Sequence, residues 1–136
     1  MTRVLGYFSY RTAIAYPLAE IAKVGVIEDT IDRKPVVIFY APGQLSALDK
    51  RLIADSKEVG SAAMFSAVVN GRQLTFDDYN GVISDNQTRS QWDVFGRAIN
   101  GELMGTQLRP VLRSNVHFWF AWAAFKPETK VYERST

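Results

Sequence analysis

Three Asn-Gly pairs, Asn70-Gly71, Asn80-Gly81 and Asn100-Gly101, cut the middle of this chain into short segments. Both residues tolerate the positive φ that a type I′ turn demands, so Asn-Gly between β-forming runs signals a hairpin. Residues 64–69 followed by 72–76 are the clearest case, with Leu74 and Phe76 alternating against Gln73 and Thr75. Val82 and Ile83 restart a strand after the second pair. Another hairpin is predicted from residues 26–31 and 36–40, turned at Asp32-Arg33-Lys34. Pro35 opens its second strand, where a missing N–H matters least. Residues 4–8 and 12–16 form a further pair, turned at Ser9 to Arg11.

Two short helices complete the pattern. One covers residues 18–23, after Pro17 and before Gly25. The other is predicted over residues 116–125, with Ser114 or Asn115 as its N-cap and Pro127 as its stop. Apolar residues lie almost all round this second helix, which predicts burial. No repeat, linker or low-complexity tract interrupts the chain. The fold class expected is mainly β (α+β): one domain over residues 1–136, a compact antiparallel sheet or partly closed barrel with two short helices at its margin.

Composition narrows the chemistry. The chain has no cysteine, which excludes disulfides, thiolate metal sites and thiol nucleophiles. Its 16 basic and 14 acidic residues are mixed along 136 positions, so no basic stripe points to nucleic acid. Arg109, Arg113, Lys126, Lys130 and Arg134 bias the last third, but Glu128 and Glu133 interrupt them, as on a solvated face. The N-terminus lacks a basic segment followed by an apolar one, so it is not a signal peptide; an export signal, if the gene encodes one, lies upstream. The apolar run 118–125 is too short to cross a bilayer, and a soluble chain is expected.

The side chains left for chemistry are few. His117 is the single histidine, and no carboxylate sits at helical ligand spacing from it, so no metal and no cofactor are expected. Residues 76–81 resemble a calcium loop, but aligning Gly81 puts Phe76 and Gln87 where acids are needed. No G-x-S-x-G elbow, S-x-x-K pair or glycine-rich phosphate loop occurs. Ser46 or Ser56 could serve His117 as a nucleophile only through an assembly that no spacing supports. His117 is predicted in the first turn of the aromatic helix, where the positive end of the helix disfavours a protonated ring. Trp92 is either a core anchor or a pocket wall beside Asp85, Thr88, Ser90 and Arg97.

Several blocks, in order, resemble a bacterial and archaeal family labelled as domain of unknown function 3179, from about Val4 to Tyr132. Ala15-Tyr16-Pro17-Leu18, Glu28-Asp29 and Lys34-Pro35-Val36-Val37-Ile38-Phe39-Tyr40 resemble its opening. Asp85-Asn86-Gln87-Thr88-Arg89-Ser90-Gln91-Trp92 is similar to its D-x-x-T-x-S-x-W block. Gly96-Arg97-Ala98 and the spaced Gly101, Gly105 and Leu108 follow, and the aromatic run from His117 to Pro127-Glu128-Thr129 resembles its ending. Many members carry Tyr-Cys-Pro-x-Cys-Gly-Thr-Ala after the strand. Here Ala41 and Gln44 stand at the two sulfur positions, and neither can exchange electrons or hold a soft metal. The resemblance therefore implies a cysteine-free branch without the thiol chemistry of its relatives.

The first reading is a non-redox binding or structural domain of uncharacterised function with a small polar pocket. Its ligand-binding residues would be Gln44, Ser46, Asp85, Thr88, Ser90, Trp92, Arg97 and His117, gathered from the 44–49 loop, the 85–92 block and the aromatic segment. The alternative is a hydrolase- or lyase-type enzyme in which His117 works with Asp49, Asp55 or Asp85 as acid and base. A protein-interaction module would instead expose a sizeable apolar patch. The expected partner is a small molecule rather than nucleic acid, and the sequence leaves the oligomeric state open.

Overall fold

A computed structural model describes residues 2–41 and 60–132. In chain order they form β1 (Arg3–Phe8), β2 (Ala13–Pro17), α1 (Leu18–Val24), β3 (Val26–Ile31), β4 (Lys34–Ala41), β5 (Ser61–Ser66), β6 (Val68–Val69) and β7 (Arg72–Gln73). The second half adds β8 (Phe76–Tyr79), β9 (Val82–Asp85), β10 (Gln91–Trp92), β11 (Ala98–Asn100), β12 (Ser114–Phe118), α2 (Trp119–Phe125) and β13 (Lys130–Val131). Among the described residues the chain is mainly β with two short helices, and its sheets are open rather than closed into a barrel.

Strand β4 sets the layering. Its run Val36-Val37-Ile38-Phe39 is buried throughout, and successive side chains point to opposite faces. Val36 and Ile38 therefore join Leu5, Tyr16, Leu18 and Ile21 in one core. Val37 and Phe39 join Phe76, Ile83, Trp92 and Ala98 in another. Each such side chain contributes about 1.5–3 kcal/mol by leaving water. Sheet β3-β4-β5 thus lies between sheet β12-β1-β2-β13 with α1 on one side and sheet β11-β10-β9-β8 on the other. A smaller core of Val4, Ala15 and Trp122 forms on the outer face of the first sheet, under α2.

The turn chemistry is borne out in part. Asp32 and Arg33, Asn70 and Gly71, and Asn80 and Gly81 all adopt positive φ, as type I′ hairpin turns require. Lys34 already belongs to β4, opposite Ile31, so the first of these turns is tighter than expected. Asn100-Gly101 makes no two-residue type I′ turn: only Gly101 has positive φ. The pair sits in a longer connection, with Met104 N–H on the Gly101 carbonyl at 3.2 Å, that returns Gln107 antiparallel to Arg97. The predicted 64–69/72–76 hairpin shrinks to Val68–Val69 against Arg72–Gln73. Residues 64–66 pair instead with β4, and Phe76 pairs with Asp85, because the chain changes partners at Ala67, whose N–H donates to the Pro35 carbonyl.

The aromatic segment departs furthest from expectation. Residues 114–118 form strand β12 against β1, with His117 opposite Val4, and the helix begins only at Trp119. Pairing along β1 captures Val116 and its neighbours, so neither Ser114 nor Asn115 caps the helix; Phe118 holds that position without a side-chain bond. Nor is α2 buried all round. Trp122 is buried, whereas Phe120 and Phe125 are exposed. The helix sits this close because β1 offers Gly6, where an added Cβ would lie 2.7 Å from the Trp122 ring.

Candidate functional site

The 85–92 block folds onto a single carboxylate. Asp85 ends β9, a turn follows, and Trp92 returns on β10 beside Ile83. Trp92 Nε1 donates to Asp85 Oδ1 at 2.9 Å, Ser90 N–H to the same oxygen at 3.2 Å, and Thr88 N–H to Oδ2 at 2.6 Å. The Thr88 hydroxyl lies 2.9 Å from Oδ2 and 2.7 Å from Ser90 Oγ, which accepts Leu103 N–H at 2.9 Å. One proton arrangement serves all of these contacts. Leu103 donates to Ser90, the Ser90 hydroxyl to Thr88, and the Thr88 hydroxyl to Asp85.

Asp85 and Ser90 are almost wholly buried, and Trp92 meets Phe76 edge-on with ring centroids 5.7 Å apart. Burial pushes the Asp85 carboxyl up, but the bonds from Trp92, Thr88 and Ser90 outweigh it and hold the group below the ordinary carboxylate value. The carboxylate stays charged and its acceptor capacity is spent inside the block. This arrangement stitches β9, the turn, β10 and the 101–105 turn together.

The structure brings Asp85, Thr88, Ser90 and Trp92 together and leaves the other candidates apart. Arg97 is exposed, and its backbone closes a turn with Asp93 rather than joining the cluster. His117 lies on strand β12 in a different sheet, half-buried, its ring centroid 5.0 Å from that of Trp122. Its expected placement in a helical first turn is overturned, because strand β12 runs to Phe118 and the helix begins at Trp119. Gln44, Ser46, Asp49, Asp55 and Ser56 lie outside the described residues.

A cleft of about 460 Å³ opens elsewhere, between the end of β1, the β3–β4 turn and the 109–113 loop. Lys34, Arg109 and Arg113 line it with Tyr7, Ser9 and Ser66, over apolar surface from Ile31, Pro35, Val36, Pro110 and Val111, and the exposed Leu112 stands at its edge. Among the described residues, its lining holds no carboxylate and no imidazole. Backbone bonds fix the loop that carries the arginines: Ser66 N–H donates to the Arg109 carbonyl at 2.8 Å, and Val111 N–H to the Met64 carbonyl at 3.0 Å. Phe8 N–H reaches the Arg113 carbonyl at 3.4 Å, and the Arg113 guanidinium lies 5.8 Å over the Phe8 ring. Such a volume suits a small molecule, and cations beside apolar walls suit an organic anion.

In the sequence, Arg109 and Arg113 read as part of a solvated face and Lys34 as part of a hairpin turn. The signal available is Arg109-Pro110-Val111-Leu112-Arg113 itself, a short loop in which two arginines flank three apolar residues. Among the described residues, no three His, Asp or Glu side chains converge to hold a metal ion. None of the described helices is long and apolar enough to cross a membrane.

A family model described as "Protein of unknown function (DUF3179)" matches residues 1–129. The chain belongs to that family. Neither curated proteins nor solved structures give a match to it. In this DUF3179 member, several of the blocks that carry the resemblance make close contacts within the fold. Asp85, Thr88, Ser90 and Trp92 form the closed network. Gly101 holds φ +93°, and a Cβ there would lie 2.7 Å from the Ser90 Cα, so glycine lets the 101–105 turn press against the network. Leu108 is fully buried and its N–H donates to the Gly96 carbonyl at 2.8 Å. Ala41 closes β4 opposite Ser61, and Gln44 lies outside the described residues.

Proposed function

We propose that this chain is a non-redox binding domain whose ligand is a small organic anion seated in the Lys34–Arg109–Arg113 cleft. The observation that carries this reading is the convergence of three cationic side chains from two separate segments on an apolar-floored cleft whose lining, among the described residues, holds no carboxylate. Arginine presents a planar fork that matches carboxylate or phosphate with two parallel bonds, and lysine adds a point charge. Ser66 and Tyr7 offer hydroxyls, while Pro110 and Val111 offer surface to an apolar body.

The small polar pocket expected from the sequence is thereby relocated. At Asp85 the polar groups are occupied by one another, so that block supports the domain's shape and leaves recognition to the cleft. The acid–base alternative keeps His117 but has no partner in Asp85, whose oxygens are taken by Trp92, Thr88 and Ser90. Calorimetric titration with phenyl phosphate, inorganic phosphate and benzyl alcohol tests the reading. Phenyl phosphate should bind most tightly and benzyl alcohol not at all, and the Arg109→Ala/Arg113→Ala double variant should lose the binding. Equal affinity of the double variant for phenyl phosphate would refute the assignment.

A further inference from the structure

The rim of the cleft has a composition that a soluble anion alone does not require. We infer that the end of the molecule built from the turns at 9–12 and 32–34 and the loop at 109–113 docks on a bilayer containing anionic phospholipid. A headgroup phosphate occupies the cleft, and Tyr10 and Leu112 enter the boundary between headgroups and acyl chains. This deepens the anion-binding reading and rests on it.

The three segments form one surface. The Ser9 hydroxyl donates to Asp32 Oδ2 at 3.1 Å, the Thr12 hydroxyl donates to Asp32 Oδ1 at 2.5 Å, and Phe8 N–H donates to the Arg113 carbonyl. These bonds join the first turn to both of the others. On this surface Arg11, Arg33, Lys34, Arg109 and Arg113 are all exposed. Asp32 is the one carboxylate of the three segments, and it is engaged by Ser9 and Thr12.

Apolar side chains protrude from the same place. Tyr10 is 89% exposed and Leu112 is 82% exposed, the two highest values among the large hydrophobic residues described. The Arg11 guanidinium lies 5.4 Å from the Tyr10 ring centroid, so charge and aromatic surface are presented together. In water such projections gain nothing. Nucleic acid would complement the cations but gives Leu112 no apolar phase to enter. A free anion would use the cleft but has no need of Arg11, Arg33 or Tyr10. An anionic lipid surface complements all of them, because basic charge and inserted apolar groups together supply the two signals that stable interfacial binding needs.

Co-sedimentation with vesicles of phosphatidylcholine alone and of phosphatidylcholine mixed with phosphatidylglycerol tests the inference. The chain should sediment with the mixed vesicles only. Arg11→Gln and Arg33→Gln, both outside the cleft lining, should each weaken that binding about fivefold while phenyl phosphate affinity is unchanged. Tyr10→Ser should weaken it as well, with circular dichroism showing an intact fold. A chain that binds phenyl phosphate but sediments with neither vesicle overturns the docking and leaves the cleft assignment standing. Failure to bind either overturns both. Equal sedimentation with both vesicle types, or binding to duplex DNA in place of mixed vesicles, overturns the anionic-lipid assignment.

Discussion

The Asp85 block and the Lys34–Arg109–Arg113 cleft are both polar, and they are opposites in every other respect. In the block, donors and acceptor come from one stretch of eight residues plus the Leu103 amide, and their bonds are made to one another in a buried setting. In the cleft, the charges come from positions 34, 109 and 113, belong to exposed residues, and line a space open to solvent. A contiguous polar motif is easily read as a site, yet contiguity is what lets a chain satisfy its own buried groups locally. Recognition needs groups left unsatisfied by the fold, and in the proposed site these come from distant segments.

The contrast predicts opposite responses to substitution. Asp85→Ala should have the largest effect on stability, about 3–5 kcal/mol in urea unfolding, because it strands the buried donors of Trp92, Thr88 and Ser90. A loss under about 0.5 kcal/mol, typical of a surface change, would break the comparison. Gly6→Ala should cost about 1–3 kcal/mol by displacing the Trp122 ring, and Trp fluorescence should report the movement. Arg109→Ala and Arg113→Ala should stay within about 0.5 kcal/mol of wild type in the same unfolding measurement while weakening phenyl phosphate binding.

Acid sharpens the comparison further. The folded Asp85 carboxyl lies below its unfolded value, so the folded state binds the proton less readily than the unfolded chain. Its stabilisation is complete above the unfolded value of about 3.9 and is lost as pH falls through the folded pKa. Unfolding measured below pH ~4 should therefore show an acid limb that is smaller in Asp85→Asn, because that variant has no carboxyl to titrate. An identical limb in both proteins would assign the acid sensitivity elsewhere.

Much of the fold was legible because it is written locally. Positive-φ tolerance at Asn70-Gly71 and Asn80-Gly81 marks turns without reference to the rest of the chain, and Gly25 marks the end of α1 in the same way. The run Val36 to Phe39 reads as a strand whichever faces it buries. Residues 114–118 were misread because nothing in them favours helix or strand decisively, and pairing with β1, more than a hundred positions away, decides the matter. Asn100-Gly101 looked like a two-residue hairpin turn, but Gly101 packs against Ser90 in a longer connection. The cleft was invisible for a related reason. Along the sequence, Arg109 and Arg113 belong to a mixed-charge third of the chain, whereas in space they share the cleft with Lys34 of the distant strand β4.

The most direct test of the claim that recognition lies in the cleft is an amide chemical-shift titration of the uniformly ¹⁵N-labelled chain with phenyl phosphate. The account predicts shifts concentrated at Tyr7, Ser9, Lys34, Ser66 and the 109–113 loop, with Thr88, Ser90 and the Trp92 indole N–H unmoved. Shifts concentrated at Thr88–Trp92 and His117, with Arg109 and Arg113 silent, would contradict it.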